Sequence, residues 1–272
     1  MFKVKKEDCI GCGLCVRDCF VQDIELVENC AVIKNSRCIK CGHCIAVCPK
    51  RAVLTDDYEM DQVKEYQSED FDIEANKLLN FIKFRRTVRQ FEKKTVEEEK
   101  IRSIIEAGRY TQTAGNRQDV SFIVVQESIP ELKTLTLERL NNIGIHLLNN
   151  ITDDNRQYVP YAKLWRKMYQ DSLTDNAMDR LFFDAPVIIV VASKTELNGA
   201  IASTNMELMA NALELGVCYN GFFTRAAKDN EEINKLLNLQ EGSEVVTAMC
   251  VGYPTVKYLR TVPRKESEIT WI

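Results

Sequence analysis

CIGCGLCVRDC at Cys9–Cys19 and CIKCGHCIAVCP at Cys38–Pro49 decide the reading of the first part of this chain. Both runs space their cysteines alike, with two residues, two residues and then three between successive thiols. Eight of the chain's 11 cysteines are used this way: Cys9, Cys12, Cys15, Cys19, Cys38, Cys41, Cys44 and Cys48. Thiols at regular, close spacing in a chain with no sign of secretion point to metal rather than to disulfides. Zinc usually takes two ligand pairs separated by a long loop. Here three cysteines share one tight turn and a fourth lies just beyond, which suits one iron–sulfur cubane per loop with the fourth ligand supplied by the other run. Gly11, Gly13 and Gly42 sit inside the loops, where a chain wrapped around a cluster needs backbone freedom.

The remaining composition narrows the class. Of 272 residues, 45% are hydrophobic and 28% charged, which is ordinary for a globular chain with a proper core. A formal charge of −4 without a block of Lys or Arg argues against a nucleic-acid partner. The start, MFKVKKEDC, has no apolar core of a signal peptide, and the longest apolar run, Ala185–Ala192, is too short to span a bilayer and reads as a buried strand. The expectation is a cytoplasmic protein with no membrane partner. Cys30, Cys218 and Cys250 are left over and read as small core hydrophobes in strands. His43 lies between two ligands of a set that is complete without it, so it reads as a surface or neighbouring residue.

Residues 1 to 56 resemble the bacterial two-[4Fe–4S] ferredoxins, with Pro49 after the second run as in that family and Phe20 departing from it after the first. The resemblance implies one cluster on Cys9, Cys12, Cys15 and Cys48 and another on Cys38, Cys41, Cys44 and Cys19. A segment this short has too little apolar core, so metal cross-links would supply much of its stability. From 57 to 75 the chain is acidic; with Asp56 the stretch to Glu74 holds nine acidic residues and one lysine. It reads either as a solvated linker or as a docking patch for a basic redox partner.

From 76 to 272 the pattern alternates between helix and strand. EANKLLNFIKF has helical spacing and stops at RRTVRQF, Arg85–Phe91. Thr95 and Glu98 suggest a capping box for the following helix. VSFIVVQ, Val187–Ala192, VCYNGFF and EVVTAMCVGYP read as strands, and a long helix from about Leu197 is expected to end at Gly216. The order implies an α+β domain. No spaced-glycine dinucleotide fingerprint and no phosphate loop are present, and two histidines in the whole chain disfavour a histidine metal site or triad. Arg85, Arg86 and Arg89 with Thr87 at a helix end would make an anion clamp, although arginines there also simply complement the helix dipole.

RRTVRQF, QTAGNRQ (Gln112–Gln118), YNGFF (Tyr219–Phe223), VGYP (Val251–Pro254) and VPRK (Val262–Lys265) follow one another at long spacings. Together they resemble the nitroreductase family, FMN enzymes of the α+β class with a central, mostly antiparallel sheet flanked by helices. By that resemblance Arg85, Arg86, Thr87 and Arg89 hold the FMN phosphate and nearby polar atoms, assisted by Arg264 and Lys265. Thr113, Ala114, Asn116 and Gln118 match a stretch that meets the flavin, and Asn220 with Gly221 the pair that approaches the ring. Asp119-Val120 and Gln112 depart from the family pattern and alter the expected pocket shape. The family implies a homodimer, into which the alternating tail SEITWI would cross. The helix NGAIASTNMELMANALELG, rich in small and apolar residues, suits that interface or a monomer's centre equally.

The expected function is an FMN-dependent oxidoreductase that reduces nitro compounds, quinones or other electron-poor organics with electrons relayed through the two clusters. No side chain stands out as a general acid, so no catalytic residue is assigned. An external ferredoxin and NAD(P)H are the candidate electron donors, and the sequence does not choose between them. A non-catalytic electron-transfer module or redox sensor serving a protein partner, and NAD(P)H-driven electron export through the clusters, are the competing readings.

Overall fold

The computed structural model describes residues 1–174 and 178–272. The chain forms two compact units, Met1–Glu74 with Thr113–Arg117, and Ala75–Gln112 with Gln118–Ile272. No described helix is long and apolar enough to cross a membrane.

The first unit contains β1 (Phe2–Val4), α1 (Leu14–Asp18), β2 (Ile24–Val27), β3 (Cys30–Ile33), α2 (His43–Ala46), β4 (Val53–Thr55) and α3 (Ser68–Phe71). Strands β1 and β4 pair antiparallel, as do β2 and β3. Each of the helices α1 and α2 begins after a glycine in the left-handed region, Gly13 at φ 70° and Gly42 at φ 77°. Only a handful of apolar residues are buried here, Cys15, Ile24 and Ala31 at the centre. Residues 57–74 belong to this unit, and part of their negative charge is met within it. Asp57 takes the N-terminal amine at 2.9 Å and Lys40 at 2.8 Å, and Glu65 pairs with Arg51.

In the second unit lie α4 (Ala75–Phe84), α5 (Glu98–Arg109), β5 (Val120–Val125), α6 (Ile129–Asn149), α7 (Val159–Ser172), β6 (Val187–Ser193), α8 (Glu196–Ala212), β7 (Gly216–Tyr219), α9 (Gly221–Ala227), α10 (Glu231–Leu236) and β8 (Glu244–Gly252). One antiparallel sheet runs in the order β5-β6-β8-β7. Every residue of β6, VIIVVAS, is buried, because both faces are covered. Ile188 and Val190 pack with Leu132 and Leu140 of α6, Trp165 of α7 and Phe223 of α9. Val187, Ile189 and Val191 point the other way, onto Ile101 and Ile104 of α5 and Met206 of α8. Strand alternation thus sends successive side chains into two separate cores. The result is the α+β class expected from the sequence, a central antiparallel sheet between helices.

Three local expectations are corrected. Helix α5 starts at Glu98, and Glu97 takes the cap position without a side-chain cap bond, its carboxylate accepting instead from the Tyr253 hydroxyl at 2.5 Å. The Thr95–Glu98 capping box therefore does not form. Helix α8 ends at Ala212, and Gly216 opens β7. A Cβ on Gly216 would stand 2.7 Å from Val88, so this glycine serves close packing rather than a helix stop. VCYNGFF is divided: the strand ends at Tyr219, and Asn220 caps α9 by accepting from Phe223 N at 2.9 Å. Residues 261–272, with SEITWI, carry no strand and are exposed.

Candidate functional site

In the first unit the eight thiols fall into two sets of four. Cys9, Cys12, Cys15 and Cys48 line one cavity, together with Gly11, Gly13 and Pro49. Cys19, Cys38, Cys41 and Cys44 line the other, together with Gly42, His43 and Asp23. The cavities are alike in size, about 370 and 410 Å³ with their open mouths included. Each set therefore draws three thiols from one run and one from the other. Among the described residues, no three His, Cys, Asp or Glu side chains are placed to hold a bare metal ion. Thiols set around a cavity rather than converging on a point suit a polynuclear cluster.

Backbone amides reinforce this fit, and they repeat between the runs. The first thiol of each run receives an N–H: Cys9 from Ala31 at 3.5 Å and Cys38 from Lys40 at 3.4 Å. So does the fourth: Cys19 from Asp23 at 3.4 Å and Cys48 from Ala52 at 3.2 Å. An N–H aimed at sulfur favours the thiolate, the form that binds iron. The Ala31 amide accordingly lowers the pKa of Cys9. Cys44 has the opposite problem: burial first, then its neighbours Cys41 and Cys38, push its thiol up to about 12. A thiolate there needs adjacent positive charge, which iron would supply. Asp23, buried at the second cavity, accepts from Ser36 Oγ at 2.7 Å and Arg37 N at 3.0 Å, and these bonds hold its carboxyl below the usual range. His43, which lines the second cavity, is exposed and its Nδ1 meets Asp18 Oδ2 at 3.1 Å.

The second unit gathers its arginines beside strand β7. Helix α4 ends at Phe84, and the chain then runs along β7, where Thr87 bridges Val217 in parallel and Val88 N donates to Val217 O at 2.9 Å. Arg85 is bound to Glu207 of α8, Nη1 to Oε1 at 2.6 Å. Glu207 is buried, and burial raises its pKa against the attraction of Arg85. Removing either partner would strand the other's charge, at a cost of about 3 kcal/mol. Arg89 lies over the Phe183 ring at 5.9 Å. Arg86 differs from both. Its Nη1 closes the end of α4 through the Lys83 carbonyl at 3.0 Å, while Nε and Nη2 are shut away from solvent with no partner. Two orphaned guanidinium donors are costly unless an acceptor meets them. This is the feature of the second unit that fits a phosphate.

Other residues expected at the flavin are differently placed. Asn220 directly follows β7, so it stands near the arginine stretch, but its side chain is committed. Besides capping α9, its Nδ2 donates to Leu181 O at 2.7 Å. Gly221 opens α9 with open space where a Cβ would stand. Thr113, Ala114 and Asn116 belong to the first unit, and Gln118 to the second. Asn116 Nδ2 donates to the carbonyls of Ile39 at 3.0 Å and Lys40 at 2.9 Å. Arg264 and Lys265 lie in the exposed tail, Arg264 Nη1 donating to Pro263 O at 3.3 Å.

Two residues escaped the sequence reading. Glu207 pairs with Arg85, and its signal was a carboxylate amid the apolar face of NMELMANA. Tyr219 donates to Ser203 O at 2.7 Å, and burial, then Glu207, drives its pKa upward, so the hydroxyl keeps its proton.

Comparison with known proteins gives the following. Residues 82–253 match the nitroreductase family, and residues 1–49 match a 4Fe-4S dicluster domain. An NADPH-dependent oxidoreductase of Staphylococcus haemolyticus is 25% identical over 175 residues, 64% of this chain and 64% of that protein, so the match spans less than two thirds of the relative's length. A nitroreductase with bound FMN from Bacteroides fragilis superimposes with a TM-score of 0.54 at 23% identity, covering 73% of this chain and all of that one. One from Desulfitobacterium hafniense, also with bound FMN, gives 0.53 at 23% identity over the same shares.

Proposed function

Because this chain belongs to the nitroreductase family and carries a 4Fe–4S dicluster domain ahead of it, we propose that it is an FMN-dependent oxidoreductase acting on electron-poor organic compounds, nitro compounds and quinones among them, with electrons relayed through two [4Fe–4S] clusters. The observation that carries the flavin half is the pair of buried, unpartnered donors on Arg86. When bound, FMN holds electrons in pairs while the clusters pass them singly, so together they join one-electron to two-electron chemistry.

The chain's own residues have distinct tasks in this reading. Arg86 meets the FMN phosphate through Nε and Nη2, with Arg89 adding positive charge and Thr87 a hydroxyl. Arg85 is fixed by Glu207 and shapes the cradle, its charge largely balanced. The Asn220–Gly221 corner borders the flavin, and Thr113, Ala114, Asn116 and Gln118 form the stretch that would meet it from a second copy of the chain. The two sets of four thiols hold the clusters, and their amide donors keep the sulfurs anionic. No residue is assigned as a general acid. The name of the Staphylococcus relative supports NADPH as a donor, and the dicluster domain supports a reduced ferredoxin.

A homodimer is part of the proposal. Leu78, Leu79, Ile82 and Phe84 leave an apolar stripe of α4 exposed, and Ile269, Trp271 and Ile272 do the same in the tail. A second copy would cover both and bring Arg264 and Lys265 to a flavin site. Sedimentation should give twice the 31.2 kDa chain mass; a monomer contradicts this part.

The experiment that tests the flavin reading is Arg86→Ala. The variant should fold and retain iron but purify without flavin. Full FMN occupancy would overturn the phosphate role.

A further inference from the structure

The repeated cysteine spacing gives each residue around one cavity a counterpart at the other. Counted from the cysteines, Arg17 corresponds to Ala46, Val21 to Lys50 and Asp23 to Ala52. The correspondence holds in three dimensions. The Asp23 amide donates to Cys19 Sγ at 3.4 Å, and the Ala52 amide to Cys48 Sγ at 3.2 Å. Cys19 belongs to the second cavity, with Cys38, Cys41 and Cys44, and Cys48 to the first, with Cys9, Cys12 and Cys15. Each cavity also has one amide on the first thiol of its loop, from Ala31 to Cys9 and from Lys40 to Cys38. These backbone donors to sulfur are therefore matched.

Charge is not matched. Asp23 and Ala52 line their cavities and are each 1% exposed, but one brings a carboxylate and the other a methyl group. The carboxylate accepts from Ser36 Oγ at 2.7 Å, Ser36 N at 3.2 Å and Arg37 N at 3.0 Å, donors that favour its anionic form. At the other counterpart pair, Lys50 lines the first cavity and Val21 the second. Arg17 adds a second cation to the first site, its Nη1 donating to Cys12 O at 3.4 Å. Cations by the second run are turned elsewhere, the Arg37 guanidinium to Gln22 O at 3.1 Å and the Lys40 ammonium to Asp57 at 2.8 Å. Reduction adds one negative charge to a cluster, so a nearby anion opposes it and a nearby cation favours it. A buried charge acts more strongly than an exposed one, which solvent and salt screen.

Resting on the two-cluster reading above, we propose that Asp23 holds the cluster on Cys19, Cys38, Cys41 and Cys44 at the lower reduction potential of the two. Lys50 and Arg17 raise that of the cluster on Cys9, Cys12, Cys15 and Cys48. An electron on the second-cavity cluster then passes to the oxidised first-cavity cluster. One cluster loses an electron and the other gains it, and no bond or proton changes place. The first-cavity cluster is where a single electron rests, and the second-cavity cluster is the stronger reductant.

The test is a potentiometric titration of the full chain, reconstituted anaerobically, reduced stepwise with dithionite and read by electron paramagnetic resonance. Cys41→Ser identifies the second-cavity signal by removing or reshaping it. In the wild-type chain the first-cavity signal should appear at the higher potential. Asp23→Asn keeps the shape and removes the charge, and Asp23→Ala reproduces the residue of the first cavity. Both should retain iron and raise the second-cavity potential alone. The expected change is roughly tenfold in the reduction equilibrium, about 60 mV for one electron. Lys50→Gln, at an exposed position, should lower the first-cavity potential alone and by less; with the wild-type order, it carries the test if the Asp23 variants lose iron. Equal potentials in the wild-type chain, the reverse order, or a second-cavity potential unmoved in iron-replete Asp23 variants would overturn the inference and leave the relay reading intact. A wild-type chain that assembles fewer than two clusters would overturn both.

Discussion

The two cysteine runs share one spacing and one set of amide-to-sulfur bonds, yet they solve the same backbone problem differently. Two residues after its first cysteine, each run turns through the left-handed region. In the first run that position is Gly11, at φ 69°, and a Cβ there would stand 2.4 Å from the Asn29 carbonyl oxygen. In the second it is Lys40, at φ 55°. Lys40 is held in this disfavoured conformation from outside: Asp57 takes its ammonium at 2.8 Å, and Tyr58 and Asn116 bond its carbonyl. The first turn is thus made by a residue with no side chain in a space already filled. The second is made by contacts, which connects it to the rest of the chain.

The largest effect should come from Gly11→Ala. The new methyl would overlap backbone, and left-handed strain would add about 1–3 kcal/mol. Iron analysis and paramagnetic resonance should find the first-run cluster lost or much depleted and the second retained; full iron content would break the comparison. A smaller effect is expected from Asp23→Asn, which weakens the bonds that set Ser36 and Arg37 ahead of Cys38. The carboxyl pKa is lowered in the folded protein, chiefly by the Ser36 hydroxyl, so its stabilisation is present above the ordinary value of 3.8 and lost as pH falls below it. Cluster bleaching should therefore be faster in the variant near neutrality, and the gap should close below pH 3.8. An equal gap at every pH would show that the charge is not what matters. The smallest effect belongs to Lys40→Gly, which relieves the strained turn while losing the ion pair to Asp57. Cluster content should be unchanged, and its loss would show that the lysine side chain, not the turn, holds the loop.

These differences also mark how far the sequence could be read. Cysteine spacing is local chemistry, so the runs and the cluster-bearing character of the segment were legible. The apolar strand Val187–Ser193 was equally plain, because burial on both faces leaves an unbroken, largely β-branched run. RRTVRQF announced a cationic cradle, but not that Arg85 would be engaged by Glu207, 122 residues away, leaving Arg86 as the member with open donors. Asn116 was placed at a flavin by motif, while its side chain turns to Ile39 and Lys40 through a contact 77 and 76 residues distant. Gly216 looked like a helix stop because glycine often is one, but only tertiary packing reveals Val88 pressed against it. What escaped in each case was long-range pairing, which no local pattern encodes.

The most direct test of the account follows the flavin band of the intact chain on mixing anaerobically with reduced ferredoxin, beside a chain in which Cys38 and Cys41 are both replaced by serine. With flavin bound equally in the two, the account predicts rapid bleaching in the first and none on that timescale in the second. Equal bleaching rates would mean that the flavin takes its electrons without the clusters, and would contradict the relay.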